Sequence, residues 1–208
     1  MKKSLYKRLH SCLAGFIRFI FRIHVHGSEN EPEPCGILLC SNHVSLLDPV
    51  CVAAAMKKTE AFFMAKKELF KIPVLSQLIK LLGAYPVERG GSDLSAVHKT
   101  IDLIKSGKCA GMFPQGTRCR ARELEDTSFK TGAALIISKT DCPVLPIRIC
   151  IKNNRWHVGR KIDIYIGAPI TSDEIAFDSE APRAAELKRI TEILFDRICA
   201  LGPEDGKK

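Results

Sequence analysis

The first 26 residues of this 208-residue chain contain no aspartate or glutamate, although the whole chain has 23. Over the same stretch Lys2, Lys3, Lys7, Arg8, Arg18 and Arg22 supply six of the nine net positive charges. Tryptophan and tyrosine are scarce too, at one and three residues. A pI of about 9.2 invites a nucleic-acid reading. However, there is no basic recognition helix with interleaved polar readers and no aromatic stacking strand, so nucleic acid is set aside as a partner. Neither G-x-x-x-x-G-K-[ST] nor G-x-G-x-x-G occurs, so no nucleotide-binding loop is supported. The nine cysteines form no C-x-x-C pair. An odd number scattered through apolar runs reads as small hydrophobes in a reducing compartment, not as disulfides or a zinc site. No ligand cluster calls for a metal, and no cofactor is expected.

A long apolar run is missing as well. The stretch from Leu13 to Ile23 is interrupted by Arg18 and Arg22, whereas a membrane span needs about 20 apolar residues and a signal peptide needs an unbroken core. On a helical wheel Leu5, Leu9, Leu13, Phe16, Ile17 and Ile20 share one face, and Lys7, Ser11, Arg18 and Arg22 lie on another. A helix packed on its own domain would show the same wheel, but the charge favours a basic amphipathic helix lying in a bilayer interface. Each Lys or Arg near an anionic surface contributes about 1 kcal/mol. Residues 1–30 are therefore read as a membrane-anchoring segment, and 31–208 as one α/β domain.

With 46% hydrophobic residues, the remainder suffices for one packed core. Short apolar runs predict strands over 36–41, 61–65, 84–88, 109–113, 144–151 and 161–166. Helical patterns fall between and after them, at about 45–56, 74–82, 93–105, 129–139 and 182–201. The alternation predicts an α/β fold with a mostly parallel sheet flanked by helices. Asn153-Asn154 suggests a hairpin at a sheet edge. Sites in such folds form at the carboxyl ends of strands.

Four motifs sit at those ends. In Asn42-His43-Val44-Ser45-Leu46-Leu47-Asp48, a loop-to-helix reversal can return Asp48 to His43. A carboxylate on one ring nitrogen fixes the tautomer and leaves the other as a base. Alone, the spacing is a weak signal that better suits a His near a strand end and an Asp stabilising a helix start. Gly83 through Arg89 ends a strand on an arginine, whose planar fork can grip a phosphate. Phe113-Pro114-Gln115-Gly116-Thr117-Arg118 runs a buried strand into a glycine turn with a hydroxyl and a guanidinium. Val144-Leu145-Pro146-Ile147 reads as a structural strand. Lys130, at the opening of the preceding helix, could help hold an anion there.

Together these four ordered blocks, over about residues 36–170, resemble the glycerolipid acyltransferase family, specifically the 1-acyl-glycerol-3-phosphate acyltransferases. The resemblance implies that His43 is the general base and Asp48 its orienting partner. It implies that Arg89 and Arg118 hold the acceptor phosphate, with Gly116 and Thr117 shaping its cradle. Gln115 stands where the family pattern has Glu; it keeps size and a carbonyl acceptor but drops a charge. That could strengthen phosphate binding or loosen an arginine. The implied reaction moves a fatty acyl group from acyl-CoA or an acyl carrier protein thioester to lysophosphatidate, giving phosphatidate in phospholipid biosynthesis. The implied place is the cytoplasmic face of the cell membrane, on anionic lipid. Another acceptor, such as glycerol 3-phosphate or a lysophospholipid, and a catalytically inactive relative are the alternatives.

Overall fold

The structure is a computed structural model that describes residues 2–33, 35–87, 93–119, 123–155 and 159–203. The elements run α1 (Lys2–Ile20), β1 (Ile23–His26), β2 (Leu38–Ser41), α2 (Asp48–Ala55), β3 (Ala61–Lys66), α3 (Pro73–Leu81), β4 (Tyr85–Val87), α4 (Asp93–Lys105), β5 (Cys109–Met112), α5 (Gly132–Thr140), β6 (Val144–Ile151), β7 (Ile162–Ile166) and α6 (Arg183–Cys199). The strands form one sheet in the order β1-β7-β6-β2-β5-β3-β4. Every pairing is parallel except β6 with β7.

β2 lies at the centre and is buried at all four positions. Its side chains alternate between two cores, as strand geometry requires. Ile37 and Leu39 join Ala14, Ile17, Cys51, Val52 and Ala55 beneath α1 and α2. Leu38 and Cys40 join Ile104, Ala133, Ile137, Ile190 and Leu194 beneath α4, α5 and α6. The small side chains of Ala53, Ala54 and Ala55, all buried, let α2 lie close against the sheet. Gly83 opens the way into β4. Its φ is +78°, and a Cβ there would meet the Ala61 carbonyl oxygen at 2.7 Å, so only glycine fits the turn.

Three expectations change. Ile23–His26 is a strand, paired along its length with β7; the alternation of Ile23 and Val25 with two histidines was masked by the helical run before it. The sheet and the core also cross the boundary expected at residue 30: the amino-terminal segment supplies an edge strand and, through Ala14 and Ile17, part of the core. β6 and β7 are antiparallel neighbours as expected, and Asn153 and Asn154 both take left-handed φ values of 60° and 47°. They sit, however, within a longer connection spanning 152–161, and β1 covers the edge that β7 would have presented.

The anticipated wheel of α1 also divides. Ile17 is buried and Leu13 partly so against the core, while Phe16, Phe19 and Ile20 remain 61%, 80% and 40% exposed. The side chains of Leu5 and Leu9 lie outside those described. Among the described residues no helix is long and apolar enough to cross a membrane.

Candidate active site

The chain leaves the carboxyl end of β2 at Ser41 and meets Asn42, which is buried and ties itself to β6. Its amide donates to the Ile149 carbonyl at 2.9 Å and accepts the Ile149 N–H at 2.7 Å. With Asn42 fixed, residues 43–48 wrap into a tight turn. Pro49, in the first turn of α2, suits a helix start because its missing N–H would have had no partner there.

Asp48 closes the turn. Its Oδ2 accepts from the backbone N–H of Val44 at 2.6 Å and of Ser45 at 2.7 Å, and lies 2.8 Å from His43 Nδ1. Asp48 is 1% exposed, and these donors satisfy an oxygen that burial takes from water. Because Oδ2 is the acceptor of all three bonds, Nδ1 carries the hydrogen between them and Nε2 is left with a lone pair.

The His43 main chain is held at both ends by the next strand's loop. Its N–H donates to Gln115 Oε1 at 2.6 Å, and its carbonyl accepts from Cys119 N–H at 2.8 Å. The ring stacks on Phe113, with centroids 4.2 Å apart and planes 19° from parallel, and Phe113 in turn stacks on Phe63. Backbone, ring face and Nδ1 are thus all constrained, which preorganises Nε2.

His43 faces a cavity of about 290 Å³. Leu46, Val50, Phe63, Leu69, Ile79 and Leu82 make most of its wall, and among the described residues Arg118 is the cation on it. Gly116, at φ +69°, turns the loop so that Arg118 follows. The Lys130 side chain lies across Gly116, with Nζ 3.1 Å from where a Cβ would stand, and the Lys130 N–H donates to the Pro114 carbonyl. Gly116, Thr117, Arg118 and Lys130 therefore share one exposed loop surface beside the histidine.

Gln115 departs from expectation. It is 4% exposed and points into the protein. Its Nε2 donates to Thr127 Oγ1 at 2.8 Å, and that hydroxyl donates to the Leu124 carbonyl at 2.7 Å. Its polar atoms hold His43 to the 124–127 turn, a supporting contact for the histidine loop. Arg89, the other expected phosphate ligand, lies outside the described residues. β2, β5, β3 and β4 are mutually parallel, so β4 ends at Val87 at the same end of the sheet as the β2 terminus that leads to His43.

Sequence reasoning did not anticipate which residues form the apolar wall, the Phe113 ring under His43, or Thr127. Phe113 was legible as the residue entering the glycine turn; Thr127 left no sequence signal, because a hydroxyl twelve residues away is joined to Gln115 only by the fold. Cys51 is close to the dyad in sequence, but burial, followed by the negative charge of Asp48, pushes its thiol up to about 12. It offers no thiolate near neutrality, so it is no nucleophile.

The chain as a whole is similar to known proteins. Residues 22–150 match the model of the family described as Acyltransferase. The chain is 27% identical over 196 residues to the 1-acyl-sn-glycerol-3-phosphate acyltransferase of Bacillus subtilis, covering 93% of this chain and 95% of that protein. It is 32% identical over 126 residues to the enzyme of the same name from Streptococcus pneumoniae, covering 60% of this chain and 46% of that one. In fold it is similar to the crystal structure of the 1-acyl-sn-glycerophosphate (LPA) acyltransferase PlsC from Thermotoga maritima, with a TM-score of 0.71, 24% identity, and coverage of 98% of this chain and 85% of that one. With the family model spanning more than half its length, this chain belongs to the acyltransferase family.

Proposed function

We propose that this protein transfers a fatty acyl group from acyl-CoA or an acyl carrier protein thioester to the sn-2 hydroxyl of 1-acyl-glycerol 3-phosphate, giving phosphatidate. The observation that carries the reading is a carboxylate-oriented imidazole opening on an apolar cavity with a guanidinium on the same wall. The relatives' names supply the acceptor.

The acceptor phosphate docks on Arg118, with Lys130 and Thr117 beside it and Arg89 as a further ligand. His43 Nε2 takes the proton of the hydroxyl as its oxygen adds to the thioester carbonyl. The imidazolium is stabilised by Asp48. The tetrahedral intermediate then collapses, the C–S bond breaks, and the thiolate leaves with the proton that His43 held. No acyl-enzyme is formed. General-base catalysis of this type is worth about 10²–10⁴-fold, and positioning the hydroxyl by its phosphate adds the advantage of a held reactant. The apolar wall receives part of an acyl chain.

In this reading the reaction takes place at the cytoplasmic face of the cell membrane, with the protein peripheral or monotopic. Phe16, Phe19 and Ile20 on α1 form an exposed apolar stripe, and Leu46, which lines the cavity, is itself 56% exposed. Burying each such side chain in lipid is worth about 1.5–3 kcal/mol, to which the six amino-terminal cations add attraction to anionic headgroups. Nine free thiols suit the reducing side of the membrane.

The test is consumption of acyl thioester with lysophosphatidate as acceptor, wild type beside His43→Ala. Turnover should fall by about 10²-fold or more in the variant, with the thermal midpoint and vesicle binding retained. Normal turnover in His43→Ala would remove the reading, and a panel of acceptors fixes the one used.

A further inference from the structure

A second hollow, of about 570 Å³, opens at the same end of the sheet and shares no lining residue with the first. Asn42 lines it, while the next residue, His43, lines the other; the two hollows thus lie on either side of the chain leaving β2. Its wall is basic. Arg22 reaches it from the entrance to β1, and Lys152, Arg160 and Lys161 from the connection between β6 and β7.

The pairing of those cations is uneven. Lys161 is 3.0 Å from Asp163, which also meets His26, and Arg148 is 2.8 Å from Glu125. Arg22 instead donates to the Gly159 carbonyl, and Arg160 to the carbonyls of Lys152 and Arg155. Among the described residues Arg22, Lys152 and Arg160 have no carboxylate partner, and Glu123 is the remaining acid on the wall. The neutral carbonyls orient two guanidinium groups without neutralising them. A hollow of cofactor size with fixed, uncompensated cations is suited to a phosphorylated ligand.

Distance identifies which ligand. β7 and β1 are the second and third strands from β2, about 10 and 14 Å away at ~4.8 Å per strand. β6 continues four residues past the Ser41–Ile147 pairing before Lys152, a further ~13 Å of rise. The acceptor's phosphate is one carbon from the reacting carbinol and cannot reach these cations while its hydroxyl is at His43. A pantetheine thioester has its sulfur at one end of a long flexible arm and its phosphate at the other. We infer that this hollow, built by Arg22, Lys152 and Arg160, binds the phosphate head of the acyl donor. The inference rests on the acyl-transfer reading and adds where the donor is held.

The direct test is calorimetric binding of coenzyme A to the full-length protein, wild type beside Lys152→Glu/Arg160→Glu, which needs no turnover and so stands apart from the failure of the activity. Binding should weaken by about tenfold or more in the variant and should fall with added salt. Kinetically, the ratio of kcat/KM for acyl-CoA to that for the acyl N-acetylcysteamine thioester, which has no phosphate, should drop by a similar factor. The KM for lysophosphatidate should not move. The same ratio with acyl carrier protein tells which phosphates are read: loss with both donors assigns the phosphopantetheine phosphate, and loss with acyl-CoA alone assigns the nucleotide phosphates. Unchanged coenzyme A binding, an unchanged ratio with both donors, or loss of binding to anionic vesicles in its place would overturn the inference.

Discussion

Asp48 Oδ2 accepts from the His43 ring and from the N–H groups of Val44 and Ser45, leaving Oδ1 outside that network. An asparagine whose carbonyl oxygen takes the place of Oδ2 keeps all three acceptor contacts and loses only the charge. Asp48→Asn therefore isolates the electrostatic support of the imidazolium. A unit pair about 4 Å apart is worth about 4 kcal/mol at an effective dielectric of 20, so kcat should fall by about 10²–10³-fold with little change in thermal midpoint. Asp48→Ala would instead orphan three donors and should unfold earlier in a denaturant titration. At Gln115 the hydrogen-bond chain runs one way, from His43 N–H through the amide to Thr127 and on to the Leu124 carbonyl. Gln115→Glu replaces the donor in that chain by an acceptor. Either two oxygens then face each other or the Thr127 hydroxyl turns and abandons Leu124. Stability should drop by about 1–3 kcal/mol, measured by urea unfolding, while the KM for lysophosphatidate stays put; a large acceptor KM change would return Gln115 to the substrate. His43 and Asp48 were read as a pair on the strength of the four-block resemblance, and the short turn between them brings Nδ1 to 2.8 Å from Oδ2. The orientation of Gln115 was not legible in the sequence, because nothing local separates an inward amide from an outward one.

Among the elements, α1 combines two surfaces. Ile17 and Ala14 are buried against the sheet side, and Phe16 and Phe19 lie outward on a neighbouring stripe. From sequence the apolar arc reads as one face, because a wheel gives angular position and not which part of a wide arc meets the core. Most of the other helices and strands were legible to within a few residues: their apolar runs are short, bounded by Gly, Pro or Asn, and of one period each. β1 escaped because four residues directly behind a helix leave too little alternation to register. The double variant Phe16→Ser/Phe19→Ser tests the outward stripe without touching the inward one. It should retain the wild-type unfolding midpoint and lose most of its sedimentation with phosphatidylglycerol vesicles. Unaltered sedimentation would move the membrane contact elsewhere on the molecule.

At the scale of the whole molecule, the amino-terminal segment is both a candidate anchor and part of the fold, and a truncation cannot separate the two. Removing residues 1–26 deletes α1 with its buried Ala14 and Ile17 and also takes away β1. Losing the Ile17 side chain alone should cost about 2–5 kcal/mol. Losing β1 unpairs the backbone of β7 from Ile162 to Tyr165 and exposes a flat, apolar edge of the kind that pairs with other chains. Against a total stability of about 5–15 kcal/mol for a domain, the truncated chain should unfold well below the wild-type temperature and aggregate as it does so, both readable by differential scanning calorimetry with light scattering. Loss of activity in that truncation would then report unfolding and not detachment from lipid. A truncation with wild-type thermal behaviour would mean that α1 and β1 are dispensable to the sheet, and would support the boundary at residue 30 that the charge distribution suggested.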